Sequence, residues 1–316
     1  MSELKHIGII GATSPIGKSI IELFVNNFFL TITYRSKDII PHNYLKHPKI
    51  KWVYIDLMSP MPIKKNYFQN CHAIIWVAHV MQSQTREEEI KFNLLAIKSL
   101  LSILPYTSIN KIVYISSGGS IYGNPFHVPI TENHPLNPLS SYGKSKKAVE
   151  EILLDYHNQT NISVAILRPG NIYGPESITG RSKGVIASYI ISTQSHKPFT
   201  IIGNKDVIRD FLYIDDLAQA VKFAIFSKKK KIIWNVGTET GHSVYYIINF
   251  LSDILNKKPS HIYYQKSQYS EILINILSNK RIMNESNWTV TTPLNTGLQK
   301  LVSIMIKDKK DKYHAT

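Results

Sequence analysis

The chain has 316 residues, 43% of them hydrophobic, which is enough to bury a large core in one large domain or two interleaved domains. Its 37 Lys and Arg residues and 22 Asp and Glu residues give a net charge of +15. The single cysteine, Cys71, excludes an internal disulfide framework and a cysteine-rich metal site, and the apolar run beside it predicts an inert core thiol.

The basic excess is compatible with nucleic acid, an anionic membrane surface or anionic small substrates. Nucleic acid is disfavoured because zinc-finger spacing, a basic zipper and an aromatic RNA-binding strand are all missing. Basic residues cluster at 227–231 and from Lys307. Because the whole sequence is rich in Lys, Ile and Asn, solvated lysines explain these clusters and no binding partner is required. No apolar run reaches the roughly 18 residues of a membrane span, and the N-terminus enters a strand at once. We therefore expect a cytoplasmic protein without a signal peptide.

Apolar β-type runs alternate with helical patterns over the first half of the chain. The predicted strands are residues 6–10, 29–34, 51–55, 73–78, 111–116 and 163–167, and the predicted helices are 16–26, 86–104 and 141–160. Continuous apolar strands separated by helices are typical of a parallel sheet covered on both faces. The sequence therefore predicts an α/β fold with a Rossmann-type doubly wound parallel sheet.

The second half has fewer strands. It predicts a helix at 183–195, a strand at 199–202, a strand running into a helix capped near Asp215, a strand at 231–236, a helix from Ser243 and a last helix after Pro293. We expect a smaller C-terminal α/β substrate-binding cap on the carboxyl edge of the sheet, where open α/β sheets bind ligands. The predicted division gives residues 1–174 and roughly 207–240 to the dinucleotide-binding domain, and roughly 175–206 and 241–316 to the cap.

The first predicted strand leads through GATSPIG into a helix, an arrangement that binds diphosphates through backbone N–H groups and the helix dipole. Its first glycine allows a tight turn and its last allows close packing of helix and strand. A serine stands at the middle position, where a glycine is expected. We expect this turn to bind a dinucleotide through Gly11, Thr13, Ser14, Pro15, Ile16 and Gly17.

The end of the second predicted strand bears on the choice of cofactor. It reads TYRS, without the carboxylate that binds a ribose 2′-hydroxyl, so Arg35 and Ser36 favour NADP over NAD. Alternatively, Arg35 lies over the adenine and selects neither. Asp56, after the third strand, is expected to accept a hydrogen bond from the adenine amino group. Other residues expected to line the cofactor follow the third and fourth strands: Leu57, Val77 and Ala78.

Tyr142 and Lys146 are four residues apart and share one face of a predicted helix. A neighbouring ammonium favours the phenolate of a tyrosine, whose unperturbed pKa is near ~10. Such a base, aimed at a hydroxyl beside a nicotinamide, catalyses alcohol–ketone interconversion. The YxxxK pattern is loose, so by itself an exposed helix face explains it more readily.

Five segments together carry a resemblance. They are GATSPIG; SSGGSIYGNP with PITENHPLNPLSSYGKSK; LRPGNIYGP; RDFLYIDD; and NVG before Ser243. In this order they resemble the extended short-chain dehydrogenase/reductase family, in its nucleotide-sugar epimerase/dehydratase branch, with UDP-glucose 4-epimerase as the most similar type. The resemblance covers most of the chain.

The resemblance implies roles for matching residues. Tyr142 would be the general base and acid, and Lys146 would hold the ribose and lower the Tyr142 pKa. Asn171 and Arg209 would bind the sugar diphosphate, although pairing of Arg209 with Asp210 is an alternative. Two further residues are expected to line or support the cofactor: Asn93 and Pro169.

The resemblance implies a nucleotide-sugar epimerase, acting at C4 of an NDP-hexose through a 4-keto intermediate, in polysaccharide or glycan precursor synthesis. Alternatives are an NADPH-dependent 4-keto-sugar reductase and a non-catalytic dinucleotide-binding sensor. The substrate would be UDP-, dTDP- or GDP-linked. The helices at 86–104 and 141–160 would pair with those of a second copy to form a homodimer.

The chain departs from the family at Ser14 and at the end of the second strand, and at two further places. The resemblance predicts a Ser or Thr four residues before Tyr122, the tyrosine of the YG pair. That position is Gly118 here, so either Ser117 or Ser120 could supply the hydroxyl. A second diphosphate-binding arginine has no clear counterpart, and Lys266 and Arg281 are weak candidates. We expect Tyr122 to line the pocket and His127, His134 and His157 to be structural; His79 is expected to be structural too, although its position would also allow it to line the pocket.

Overall fold

The computed structural model describes residues 6–36, 40, 42–59, 63–81, 85–175, 184–267 and 271–314, with the backbone alone at 42–43 and 306–314. The strands are β1 (His6–Ile10), β2 (Phe29–Tyr34), β3 (Ile50–Tyr54), β4 (Ala73–Trp76), β5 (Lys111–Ile115), β6 (Ser163–Pro169), β7 (Asn171–Tyr173), β8 (Phe199–Ile202), β9 (Ile208–Tyr213), β10 (Lys231–Val236), β11 (Gly241–Ser243), β12 (Ile262–Gln265) and β13 (Ile274–Asn275). The helices are α1 (Pro15–Phe24), α2 (His42–Leu45), α3 (Arg86–Ile103), α4 (Gly118–Ile121), α5 (Ser141–Thr160), α6 (Val185–Gln194), α7 (Ile214–Phe226), α8 (Val244–Leu255), α9 (Lys280–Glu285) and α10 (Leu294–His314).

Seven parallel strands form the main sheet in the order β3-β2-β1-β4-β5-β6-β10. The prediction of a doubly wound parallel sheet is confirmed. From β1 the chain first builds one side of the sheet and then crosses to β4 on the other side. The carboxyl ends of β1 and β4 are therefore the topological switch point, where sheets of this kind bind ligands.

Helices cover both faces of the main sheet. Helices α1 and α7 pack together on one face, and Phe24 and Val221 belong to the apolar core there. Helices α3 and α5 pack together on the other face, where Ile97 and Leu153 belong to a second core. Strands β4 and β5 are buried along their whole length because both faces are covered, which explains why their sequences are continuously apolar.

Polar caps fix where the helices begin. Helix α1 starts after Ser14, whose Oγ accepts a hydrogen bond from the Gly17 N–H, and α5 starts after Ser140, which caps Gly143 in the same way. The predicted cap near Asp215 is wrong. Helix α7 follows Tyr213 directly and has no side-chain cap.

Beyond β6, the remaining strands form two small sheets. In one, β9 pairs in parallel with β7 and β13 and antiparallel with β11, so residues 208–213 pair outside the main sheet. In the other, β8 pairs in parallel with β12. The prediction missed β7, β11, β12 and β13, which have two to four residues each and are too short to show a period. None of the described helices is both long and apolar enough to cross a bilayer.

Candidate active site

The glycine turn after β1 lies against the end of β4. Gly11 has φ +90°, and a Cβ there would come within 2.6 Å of the Ala78 nitrogen. A Cβ on Gly17 would come within 2.5 Å of the Gly11 carbonyl oxygen. Both positions therefore require glycine, the first for its backbone conformation and the second for space. The turn is tight, as the sequence predicted.

Ser14 holds this turn together. Its hydroxyl donates to the Gly11 carbonyl at 2.7 Å and accepts from the Gly17 N–H at 3.1 Å. The turn residues Thr13, Pro15 and Ile16 are partly exposed, and the first turn of α1 has no acidic side chain. A helix N-terminus without negative side chains and a turn without side-chain bulk fit the diphosphate of a dinucleotide.

The other predicted cofactor residues lie past the ends of neighbouring strands on the same edge. Arg35 is exposed and Ser36 partly exposed just after β2. Asp56 accepts a hydrogen bond from the Met58 N–H at 3.1 Å and so closes the turn after β3, beside Leu57. The Val77 N–H donates to the Ile10 carbonyl, which joins the ends of β4 and β1. The contacts of these residues with a dinucleotide stay predictions.

Tyr142 lies in the first turn of α5, partly buried at the carboxyl end of β5. Burial raises the pKa of Tyr142 to about 12, the Glu89 carboxylate raises it too, and a hydrogen bond with the Ser117 side chain opposes both. The expected lowering of this pKa by Lys146 is wrong for this arrangement. Desolvation favours the neutral phenol and outweighs the opposing effect of the Ser117 side chain.

Lys146 is buried one helical turn further along α5. Its Nζ donates to the Ile115 carbonyl at 2.7 Å and lies 5.6 Å from the centre of the Tyr142 ring. Burial lowers the pKa of Lys146 to about 7. The amine is therefore charged in only part of the molecules at neutral pH, which limits its effect on Tyr142.

The turn after β5 carries both serines that the sequence offered as the hydroxyl near Tyr142. The Ser117 side chain acts on the Tyr142 phenol to lower its pKa, and Ser117 Oγ donates to Ser120 Oγ at 3.3 Å. A Cβ on Gly118 would meet Leu277 Cδ1 at 2.5 Å and the Arg168 carbonyl oxygen at 2.8 Å. Position 118 has no room for a side chain, and of the two serines Ser117 is the one that acts on the Tyr142 pKa.

Two predicted substrate residues lie on β7 and β9. Asn171 Oδ1 is 3.0 Å from where a Cβ of Gly119 would be, so it borders the serine turn. Arg209 is partly buried and donates to the carbonyl of the preceding residue, Ile208, and burial lowers its pKa while Glu271 acts against this. Asp210 is not its partner, because that carboxylate accepts from Thr238 and Leu277. Pro169 ends β6 and is buried.

A cavity of about 550 Å³ lies beside the Arg209 strand, and the sequence did not predict it. Glu271 lines it, and the same carboxylate acts to raise the pKa of Arg209. Lys266 lines the same cavity. Arg281 does not, because it bonds Asn133 and lies in a separate cleft of about 360 Å³.

Two neighbours of Tyr142 form a cluster that the sequence did not reveal. The His79 Nε2 lies 2.9 Å from Glu89 Oε1, and the His79 ring lies edge-on to the Tyr142 ring with centroids 4.7 Å apart. Burial, with Lys146, lowers the pKa of His79 to about 3. Asn93 holds this loop, since its amide bonds the N–H and carbonyl of Val80. His79 and Glu89 are ten residues apart, a separation that matches no local repeat, so the sequence alone did not reveal their pairing.

Tyr122 does not line the pocket, so that expectation is wrong. It is fully buried, donates to Asn235 Oδ1 at 2.6 Å and accepts from Arg168 at 2.9 Å. His134 and His157 are structural as predicted, because each ring bonds a nearby backbone carbonyl.

Comparison with known proteins adds to this geometry. A model of the NAD dependent epimerase/dehydratase family matches residues 7–237. A Methanocaldococcus jannaschii protein named "Putative UDP-glucose 4-epimerase" is 29% identical over 301 residues, covering 94% of this chain and 97% of that protein. The dTDP-4-dehydro-6-deoxyglucose reductase of Escherichia coli is 32% identical over 192 residues, covering 61% and 60%. The crystal structure of the Thermus thermophilus UDP-glucose 4-epimerase with NAD has the same fold, with a TM-score of 0.83 at 23% identity and coverage of 94% and 98%.

Proposed function

Because the chain belongs to the NAD dependent epimerase/dehydratase family, we propose that it is a nucleotide-sugar 4-epimerase acting at C4 of a UDP-linked hexose. The observation that carries this proposal is the grouping of Ser117, Tyr142 and Lys146 at the carboxyl edge of the sheet, beside the glycine turn. A hydroxyl pair next to a buried amine suits proton exchange with a sugar hydroxyl.

Each of these side chains has a distinct task in the proposed reaction. Tyr142 removes the proton from the sugar 4-hydroxyl and later returns a proton to the 4-keto oxygen. Ser117 hydrogen-bonds the phenol and orients it. Lys146, with a pKa of about 7, supplies positive charge near the phenol when protonated. The chemistry that a bound oxidised nicotinamide would supply is the acceptance and return of the C4 hydride.

The dinucleotide would be held by the glycine turn, whose shape depends on Gly11 and Gly17 and which leads into the start of α1. The choice between NAD and NADP is open to a direct test. The family description and the NAD complex of the Thermus thermophilus enzyme support NAD, whereas Arg35 and Ser36 after β2 favour a 2′-phosphate. Denaturing the purified protein and identifying the released dinucleotide by mass spectrometry distinguishes the two.

The small sheet that contains β7 and β9 would bind the nucleotide diphosphate. Arg209 carries a guanidinium suited to two phosphate oxygens, and Asn171 borders the serine turn. The cavity beside them, with Lys266 on its wall, provides space for the nucleoside. UDP is favoured over dTDP and GDP because the relative that covers 94% of the chain is named for UDP-glucose.

A second candidate is an NADPH-dependent 4-keto-sugar reductase. Two observations favour it: Arg35 at the end of β2, and the 32% identity with the Escherichia coli reductase. The same Tyr142 would then only donate a proton. A non-catalytic dinucleotide sensor has the same fold, and the grouped Ser117, Tyr142 and Lys146 argue against it.

The deciding experiment incubates the purified protein, without added cofactor, with UDP-glucose, UDP-galactose and their N-acetyl forms. An epimerase interconverts a pair with no net oxidation or reduction, and Tyr142→Phe lowers the rate at least about a hundredfold. Stoichiometric consumption of NADPH with a 4-keto sugar, and no action on UDP-hexoses, would establish the reductase instead. Unchanged turnover in Tyr142→Phe would remove Tyr142 from the mechanism.

A further inference from the structure

Glu89, in the first turn of α3, uses both carboxylate oxygens in buried contacts. Its Oε1 is 2.9 Å from His79 Nε2, and its Oε2 accepts a hydrogen bond from Ser141 Oγ at 2.9 Å. A carboxylate only accepts hydrogen bonds, so the proton of the neutral His79 ring is on Nε2. The His79 and Glu89 side chains are only 8% and 13% exposed.

Both partners of Glu89 adjoin Tyr142. Ser141 precedes Tyr142 in the first turn of α5, and the His79 ring packs edge-on against the Tyr142 ring at an angle of 76°. One carboxylate thus joins the loop after β4, the start of α3 and the start of α5. Tyr142 is held on two sides, by the ring of His79 and by the backbone of its own turn.

On the basis of the proposed function, we propose that Glu89 is a positioning residue that acts through His79 and Ser141 to hold the Tyr142 phenol against Ser117 and towards the sugar hydroxyl. None of the motifs that carry the family resemblance includes His79 or Glu89. A phenol displaced by about 1 Å loses on the order of a hundredfold in rate, so a device that fixes its ring acts on kcat.

The position of Glu89 has an electrostatic cost, which makes the proposal testable. The carboxylate raises the pKa of Tyr142 and so disfavours the phenolate. Among the described residues, the charged groups that face Tyr142 are Glu89 and Lys146, with His79 neutral. If Glu89 only disfavoured the phenolate, it would lower the reaction rate. If it also fixes the position of the phenol, the gain in geometry offsets the cost of the raised pKa.

Two substitutions separate geometry from charge. Glu89→Gln keeps an oxygen to accept from His79 and an amide N–H to donate to Ser141, but removes the negative charge. Glu89→Ala removes both bonds and the charge. Glu87→Ala is the matched control, because Glu87 is an exposed carboxylate in the same helical turn.

The kinetic test measures kcat and KM for UDP-glucose and UDP-galactose from pH 6 to pH 10. We expect Glu89→Ala to lower kcat at least about tenfold with KM changed less than about twofold. Because the pKa of Tyr142 is about 12, a kcat that depends on its phenolate rises with pH over this whole range, and Glu89→Gln should displace that rise to lower pH while keeping most of kcat. Glu87→Ala should match the wild type. Wild-type kcat in Glu89→Ala, or an unshifted profile in Glu89→Gln, would overturn the proposal.

A second measurement does not depend on turnover. In protein labelled with ¹³C in its tyrosine rings, the Tyr142 resonances are identified by their loss in Tyr142→Phe. We expect a restrained ring in the wild type and in Glu89→Gln, and faster ring flipping in Glu89→Ala. If Glu89→Ala does not fold, His79→Phe, which keeps an aromatic edge but loses the bond to Glu89, takes its place. Wild-type protein that turns over none of the UDP-hexoses would refute the proposed function, while the ring-flip comparison would still decide the role of Glu89.

Discussion

At the scale of single residues, the turn after β5 decides the chemistry of the site. Gly118 occupies the position where the family resemblance predicts a hydroxyl, yet a side chain there would run into Leu277 and the Arg168 carbonyl. The neighbouring Ser117 acts on the Tyr142 pKa, whereas the Ser120 hydroxyl bonds Ser117. Moving the hydroxyl by one residue preserves the contact with the phenol because the turn brings Ser117 to it.

This arrangement predicts unequal effects for the two serines. Ser117→Ala removes the hydrogen bond to Tyr142 and should lower kcat on the order of a hundredfold. Ser120→Ala leaves that bond intact and should lower kcat less than about fivefold. Steady-state kinetics with UDP-hexoses checks both, and equal losses in the two variants would contradict the assignment of Ser117.

Lys146 gives a prediction for stability. Its pKa is about 7 in the folded protein and near ~10.4 in an unfolded chain, so the unfolded chain binds the extra proton between these values. Folding is therefore progressively disfavoured as the pH falls from about 10.4 to 7, by up to about 1.4 kcal/mol per pH unit. Lys146→Met, which removes this titration, should gain stability relative to the wild type across that window while losing activity.

The measurement is urea unfolding of wild type and Lys146→Met at pH 7.5 and pH 9.5. The difference in free energy of unfolding should favour the variant by more at pH 7.5. Lys144→Met, at an exposed position on the same helix, serves as the control and should show no such pH dependence. A difference that is constant with pH would mean that Lys146 is charged in the folded protein.

At the scale of secondary-structure elements, a buried ion pair joins β6 to α5. The Arg168 guanidinium donates from Nε and Nη2 to the Glu150 carboxylate, and from Nη1 to the Tyr122 hydroxyl. Both charged side chains are almost fully buried, 4% and 1% exposed. Tyr142 and Lys146 lie on the same helix as Glu150, so this pair anchors the helix that carries them.

Removing one partner of this ion pair should lower the free energy of unfolding more than removing both partners. Arg168→Met leaves the Glu150 carboxylate buried without its partner and should destabilise the fold by about 3–5 kcal/mol. The double variant Arg168→Met with Glu150→Met should recover much of that loss. Urea unfolding of both variants is the test, and a single variant that loses less than about 1 kcal/mol would show that the pair is dispensable.

At the scale of the whole molecule, the main sheet holds the dinucleotide turn and Tyr142, while β9 and its partners hold Arg209. We propose that the cap, roughly 175–206 and 241–316, binds the nucleotide sugar. Strand β9, which carries Arg209, lies outside these ranges but pairs with β11 and β13 of the cap and with β7. The proposed site is therefore completed only where the two sheets meet, with Asn171 on β7 directly after β6.

The family resemblance also predicts a homodimer through α3 and α5, which pack side by side on one face of the main sheet. Leu95 on α3 is 47% exposed and apolar, so a dimer would bury it. We expect a dimer by light scattering and a weakened dimer for Leu95→Glu. Lys222→Glu, on the opposite face of the sheet, should leave the mass unchanged. A monomeric wild type would refute the dimer.

The sequence by itself determined the main sheet, the glycine turn and the pairing of Tyr142 with Lys146. These features depend on apolar period, on glycine and on an i, i+4 spacing, all of which are local along the chain. Only the tertiary structure decided that Ser117 acts on the Tyr142 pKa, that burial raises this pKa, and that His79 contacts both Glu89 and the Tyr142 ring. These outcomes depend on which strand ends become neighbours and on how much solvent remains between them, and neither is written in local sequence periods.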